Sequence, residues 1–153
     1  MSKGNVRSSV VQIVAIALAV VGVVMYVITS TTGYLAGRAV DPLPVVLSVV
    51  AIVALGGDLW LRDRLAPIVR DLVLIGAVVL LAWSFAIFLL ARVPLAADVY
   101  FIPVNYPEAE ETTLNLSLVG IGIYVVALVA LIVEAFVAKR RALPAPISLA
   151  RTV

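Results

Sequence analysis

The chain contains no cysteine and no histidine among its 153 residues. The first absence excludes disulfides, thiol chemistry, iron–sulfur clusters and zinc sites built on cysteine. The second removes the usual haem and metal ligand and the commonest acid–base catalyst. The sequence also has no phosphate-binding loop, dinucleotide-binding glycine motif or nucleophile elbow. We therefore expect a protein that is not an enzyme, with no cofactor, no metal site and no catalytic residues.

Charge is scarce as well. Charged residues make up 13% of the chain and hydrophobic residues 64%, against about 25% and about 45–50% in soluble proteins. A soluble domain of this size could not bury so much apolar surface. The net charge of only +2 does not suggest nucleic acid as a partner. The composition therefore predicts that the chain's surroundings are a lipid bilayer.

Long apolar stretches are what the sequence has instead. A helix that crosses the hydrocarbon core needs about 20 mostly apolar residues, and four stretches meet that requirement. We predict an all-α, polytopic membrane protein with a four-helix domain over 1–141, a long outer loop over 92–113 and a flexible cytoplasmic tail over 142–153. The predicted spans are 10–28, 43–61, 72–91 and 114–138.

The first span could be read as a signal peptide because Lys3 and Arg7 precede it. Its apolar run is longer than the usual stretch of about 7–15 residues, and no A-x-A cleavage site follows it. We therefore expect a retained membrane anchor. Further along, Pro67 is suited to the first position of the third helix, where the missing N–H has no helical partner to lose.

The distribution of basic residues predicts the orientation, because cytoplasmic loops are enriched in lysine and arginine. With both termini inside, only Arg38 and Arg92 fall on the outer side. The other nine are cytoplasmic: Lys3, Arg7, Arg62, Arg64, Arg70, Lys139, Arg140, Arg141 and Arg151. Arginine outnumbers lysine amid abundant alanine, valine and leucine, which is typical of a GC-rich bacterial gene. We expect the inner (plasma) membrane, with both termini cytoplasmic.

An internal duplication is a hypothesis that the sequence leaves open. Residues 51–64 read AIVALGGDLWLRDR and residues 127–140 read ALVALIVEAFVAKR, with five identical positions and Asp58 aligned to Glu134. If the similarity is real, the protein consists of two like-oriented helical hairpins related by an axis along the membrane normal. Chance is the alternative, since short matches arise easily in a chain so rich in alanine, valine and leucine.

Two acidic residues lie near the cytoplasmic ends of predicted spans, Asp58 in the second and Glu134 in the fourth. Small residues precede each acid on the same helical face, and such faces let helices approach closely in lipid. We expect both faces to point inward. They comprise Ala51, Ala54 and Asp58 in one span, and Gly120, Ile123, Ala127, Ala130 and Glu134 in the other.

These acids admit two interpretations. They could form an ion or proton site near the cytoplasmic surface, or they could tie helix ends to nearby arginines and fix the packing. We favour the second, because a proton-coupled transporter would more naturally hold its carboxylate near mid-membrane. Arg62 follows Asp58 by four residues, a spacing that favours an ion pair. The full candidate set is Asp58, Glu134, Arg62, Arg64 and Arg140.

The second outer loop combines aromatic and acidic residues. Aromatic side chains commonly lie at the headgroup level of a membrane, which is the simpler interpretation. The alternative is a docking surface for a partner outside the cell. The residues concerned are Tyr100, Phe101, Tyr106, Glu108, Glu110 and Glu111.

From these features we expect a non-enzymatic small integral membrane protein. Its predicted role is that of an accessory or structural subunit of a larger membrane complex, or of a homo-oligomer, with other membrane subunits or its own copies as partners. The alternative is an oligomeric channel or transporter for ions or small solutes, using the cytoplasmic-side carboxylates Asp58 and Glu134.

Overall fold

A computed structural model describes residues 3–32, 35, 37, 39–62, 64–101 and 108–142, and the side chains of these except 3–8, 109–110 and 137–142. The described chain is all-helical. Each of its four helices is long and apolar enough to cross a membrane, which confirms the predicted class. The helices are α1 (Lys3–Thr31), α2 (Leu43–Trp60), α3 (Pro67–Phe101) and α4 (Glu108–Ala142).

Three of the helices are longer than the apolar stretches that predicted them. α3 and α4 have 35 residues each, or about 52 Å at 1.5 Å per residue, well beyond the ~30 Å hydrocarbon core. The range 92–113, expected to be a loop, is helical wherever the structure describes it. Hydropathy marks where lipid contact ends, whereas backbone hydrogen bonding continues a helix into the polar region. The predicted tail is described only at Ala142; residues 143–153 lie outside the described ranges.

Local sequence explains where two helices begin. α3 begins at Pro67, as predicted. Before α2, the Asp41 Oδ1 accepts a hydrogen bond from the Leu43 N–H at 2.9 Å, which satisfies one of the unpaired donors of the first turn. In the linker between α1 and α2, Gly37 has a φ of +88°, a conformation that a residue with a Cβ rarely adopts.

Successive helices run antiparallel around a closed bundle. α1 packs against α2 and α4, and α3 packs against the same two helices. Gln12 near the start of α1 reaches Asp58 near the end of α2, and Asp58 also reaches Arg70 near the start of α3. The duplication of two hairpins stays a hypothesis, because this packing follows from four sequential antiparallel helices with or without it.

The buried positions repeat every three or four residues. In α2, for example, the buried residues are Pro44, Ser48, Ala51, Leu55 and Asp58. This spacing is typical of helices that pack at a shallow left-handed angle. We call the side chains that face the bundle's axis the seam, and they include small and polar residues such as Ala51 and Ser48.

Large apolar side chains face outward instead. Val53 is 67% exposed and Ile68 is 77% exposed, and many other valines, leucines and isoleucines are exposed to a lesser degree. Leaving such a side chain in water forgoes about 1.5–3 kcal/mol of burial. A soluble helical bundle has the opposite distribution, so the surface indicates a multi-pass membrane protein.

Apolar side chains close the bundle's axis between its polar positions. Leu55, Leu81 and Leu131 are fully buried. Phe88 packs edge-to-face between two tyrosine rings, with centroids 5.1 Å from Tyr26 and 6.1 Å from Tyr124. Such edge-to-face geometry is favourable for aromatic pairs. The described interior is therefore a packed core.

Candidate functional sites at the two ends of the bundle

Asp58 is the centre of a charged layer at one end of the bundle. It lies in the last turn of α2 and is 5% exposed. Arg70 Nε of α3 donates to its Oδ1 at 3.0 Å, and Gln12 Nε2 of α1 donates to its Oδ2 at 3.0 Å. The Gln12 amide also donates to the Leu55 carbonyl at 3.2 Å. One carboxylate thus joins three helices.

The expected pairing of Asp58 with Arg62 is wrong. Arg70 of α3 takes that position, and Arg62 donates to the Ser9 hydroxyl of α1. The four-residue spacing favours an ion pair only where both residues belong to one continuous helix. α2 ends at Trp60, so Arg62 lies past the helix and projects in another direction.

Glu134 lies at the same end of the bundle. Gly22 of α1 lies against Tyr124 of α4, and the two helices are antiparallel. Gln12 and Glu134 are each ten residues from this contact, so they lie at the same level along the bundle axis. Glu134 is 6% exposed. On the two predicted small-residue faces, Ala51, Gly120 and Ala127 are buried alongside these acids. The other members, Ala54, Ile123 and Ala130, are half-buried.

Arg64 and Arg140 are the remaining members of the predicted carboxylate set. Arg64 is exposed between α2 and α3. Arg140 falls in the last turns of α4, where the described structure is limited to the backbone. Within the described ranges, no cluster of three or more acidic residues could hold a metal ion.

A hydroxyl network in the middle of the bundle was not foreseen from the sequence. Ser48 donates to Ser84 at 2.8 Å, and Ser84 donates to the Pro44 carbonyl at 2.8 Å. The Tyr124 hydroxyl lies 2.8 Å from the Ser48 hydroxyl. Because Ser48 already donates to Ser84, Tyr124 is the donor in this hydrogen bond. The signal was available, because these hydroxyls occupy the three- and four-residue seam of otherwise apolar spans.

Arg92 forms a second charged layer at the opposite end. It was expected in an outer loop, but α3 continues past it, and it is 5% exposed inside the bundle. Its Nη2 donates to the Thr29 hydroxyl at 2.9 Å and to the Ser30 hydroxyl at 2.7 Å. The guanidinium carbon lies 5.8 Å from the Tyr26 ring centroid and 5.2 Å from that of Phe88.

A cavity of about 150 Å³ adjoins Arg92. Tyr26, Ser30 and Asp41 contribute polar groups to its lining, and Pro94 and Leu95 are among its apolar walls. The Tyr26 hydroxyl donates to the Asp41 backbone carbonyl at 2.7 Å, so two of the lining residues are held together. Pro94 cannot donate the backbone hydrogen bond that a helix normally makes at this position, so the turn beside the cavity is less constrained.

The predicted docking residues are divided between two helix ends. Tyr100 and Phe101 end α3 and are 71% and 83% exposed. Glu108 and Glu111 are exposed in the first turn of α4. Tyr106 lies outside the described residues, as does the side chain of Glu110. Docking of a partner at this surface stays a prediction.

No protein family model, curated protein or solved structure matches the chain. Its helical class and membrane character therefore rest on its own residues: four apolar helices, an outward apolar surface and a polar seam.

Proposed function

We propose that this chain is a non-enzymatic accessory or structural subunit of a larger membrane assembly, or of a homo-oligomer, in the plasma membrane with both termini cytoplasmic. The buried side chains of Leu55, Leu81 and Leu131 fill its interior, which argues against a pore for ions or solutes through a single copy. Its function is then exerted through its surface. The observation that carries the proposal is a difference between inward and outward glycines.

The inward glycines have a reason within the chain. A Cβ on Gly22 would lie 2.7 Å from two atoms of the Tyr124 ring. A Cβ on Gly120 would lie 3.0 Å from the Met25 Cβ. Both distances are too short for ordinary packing, so glycine is what allows α1 and α4 to approach at these levels.

The outward glycines have no such reason. A Cβ on Gly56, Gly57, Gly76 or Gly122 would meet no atom within 4 Å outside its own helix turn. Glycine inside a helix costs about 1 kcal/mol relative to alanine. Small residues on transmembrane surfaces permit close packing against another helix. Contact with a second membrane protein or a second copy would explain these positions.

The α2–α3 hairpin is the best place to test this. The Asp58–Arg70 and Ser48–Ser84 contacts set a register in which Gly56 and Gly76 lie at similar depth. We expect Gly56→Leu together with Gly76→Leu to lower association at least about tenfold, since bulky side chains prevent close helix approach. Association is measured by affinity purification from native membranes and by native mass spectrometry of the purified chain.

Two matched variants serve as controls. Ala82→Leu places the same leucine side chain at an exposed position of α3 and should leave association unchanged. Gly22→Leu should instead destabilise the fold through Tyr124. A wild-type chain that purifies as a lone monomer with no companion would refute the proposal, as would full association of the double variant.

An oligomeric channel or transporter is the second candidate. It is favoured by the burial of two carboxylates, Asp58 and Glu134, at one end of the bundle. Its route would run between copies, because the axis of one copy is packed. We expect Asp58→Asn or Glu134→Gln to abolish an ion flux in proteoliposomes if this candidate is correct. Unchanged flux in both folded variants would remove the acids from any transport mechanism.

A further inference from the structure

Arg92 is a buried cation that forms no ion pair with a carboxylate among the described residues. Its hydrogen-bond partners are the neutral hydroxyls of Thr29 and Ser30, and its Nε has no partner among the described residues. A buried charge is costly unless it is paired and fully hydrogen-bonded. Hydroxyls and the adjacent rings offset part of this cost. An anion at the same place would offset more.

The position of Arg92 along the bundle suggests where such an anion comes from. Arg70 and Arg92 are 22 residues apart on α3, or about 33 Å at 1.5 Å per residue. The hydrocarbon core is about 30 Å thick. With the Asp58–Arg70 layer at one boundary of the core, Arg92 lies at the opposite boundary, where the headgroup phosphates begin.

The cavity beside Arg92 provides the space. Ser30 and Arg92 line it together, and its apolar walls include Leu35 and Leu95. A volume of about 150 Å³ accommodates a phosphate group and the first atoms attached to it. Guanidinium groups are well suited to phosphate, because several N–H donors point in one plane toward its oxygens.

We propose that this cavity binds a phosphate oxyanion, either of a phospholipid headgroup or of free phosphate, through the guanidinium of Arg92 and the hydroxyl of Ser30. Asp41 also lines the cavity and already accepts from the Leu43 N–H. Its negative charge opposes an anion and restricts the phosphate to the Arg92 side. Asp41→Asn should therefore tighten binding.

The experiment is a lipid titration of the full chain, purified in a phosphate-free detergent and followed by native mass spectrometry. Dioleoylphosphatidylglycerol should bind at one saturable site, and dioleoylglycerol, which lacks the phosphate, should not. We expect Arg92→Gln to weaken binding about tenfold or more, as for the loss of a charge-assisted hydrogen bond. Arg64→Gln removes an exposed arginine elsewhere and should have no effect.

A second variant keeps the test decisive if Arg92→Gln folds poorly. Ala39 lines the cavity in the α1–α2 linker, so Ala39→Leu should fill it while leaving Arg92 in place, and should weaken binding similarly. Competition with inorganic phosphate distinguishes the two sources of the anion. If inorganic phosphate displaces the lipid at equal concentration, the site's ligand is free phosphate. If it does not, the ligand is the phospholipid headgroup. Wild-type lipid binding by both Arg92→Gln and Ala39→Leu would overturn the proposal.

Discussion

The two ends of the bundle handle a buried charge in different ways. At one end, Asp58 has a cation from its own chain, with Arg70 at 3.0 Å and the Gln12 amide at 3.0 Å. At the other end, Arg92 has two hydroxyls and two aromatic rings. The first charge is neutralised by an ion pair, and the second has no ion-pair partner among the described residues.

This difference separates structural charges from charges that are open to a ligand. An ion pair satisfied by three helices ties those helices together and offers little to an incoming group. A cation held by neutral partners beside a cavity still attracts anions. This attraction is stronger inside a protein than in water, because the dielectric constant is lower there. The Arg92 end is therefore the more promising of the two for binding.

Removing the cation at the Asp58 end should have the largest effect on stability. Breaking a buried ion pair from one side costs about 3–5 kcal/mol. Because the Arg70 side chain is 30% exposed, water replaces it in part, and we expect Arg70→Met to lower the free energy of unfolding by about 2–3 kcal/mol. The measurement is unfolding of the purified chain in mixed micelles with increasing dodecyl sulfate.

The double variant Asp58→Leu with Arg70→Met tests the reason for that loss. Replacing both charges with apolar groups removes the uncompensated carboxylate, so stability should return to within about 1 kcal/mol of wild type. If Arg70→Met alone leaves stability unchanged, the ion pair does not hold these helices together, and the contrast between the two ends fails.

The corresponding change at the other end should not lower the stability. Arg92→Met removes a cation that has no ion-pair partner in the part of the chain that the structure describes, and the Thr29 hydroxyl keeps its bonds to the Met25 and Tyr26 carbonyls. We expect the free energy of unfolding in phosphate-free detergent to stay the same or to rise by about 1 kcal/mol. A loss of 2 kcal/mol or more would mean that hydroxyls and rings already compensate the cation.

The hydroxyl network of Ser48, Ser84 and Tyr124, in the middle of the bundle, should show a small effect. Ser48→Ala removes one hydrogen bond to Ser84 and one to Tyr124, but the Tyr124 hydroxyl lies 3.4 Å from Ser84 and can turn toward it. Interhelical hydrogen bonds in membranes contribute about 0.6 kcal/mol on average, and we expect a loss of that size. Unfolding of Ser48→Ala combined with Arg70→Met should be additive. Strong non-additivity would indicate that the layers act as one unit.

The spans were predictable because hydropathy measures a property of each segment by itself. The second span, 43–61, matches α2 to within a residue, and the four apolar helices are present as expected. The inward direction of Ala51 and Ala127 was predictable too, since helical spacing assigns residues to faces before any packing is known. Helix ends were less accessible: α3 extends to Phe101 because polar residues can continue a helix beyond lipid.

The sequence alone determined that four apolar helices exist, because the bilayer requires each segment to satisfy its own backbone hydrogen bonds. Its three- and four-residue spacing also indicated some of the inward positions, such as Ala51 and Ala127. Only the tertiary structure decided the partners of the buried charges. Asp58 meets Arg70 rather than Arg62, and within the described ranges Arg92 meets the hydroxyls of Thr29 and Ser30. These contacts depend on the register between helices, which is a property of their packing and is not encoded in the spacing along any one of them.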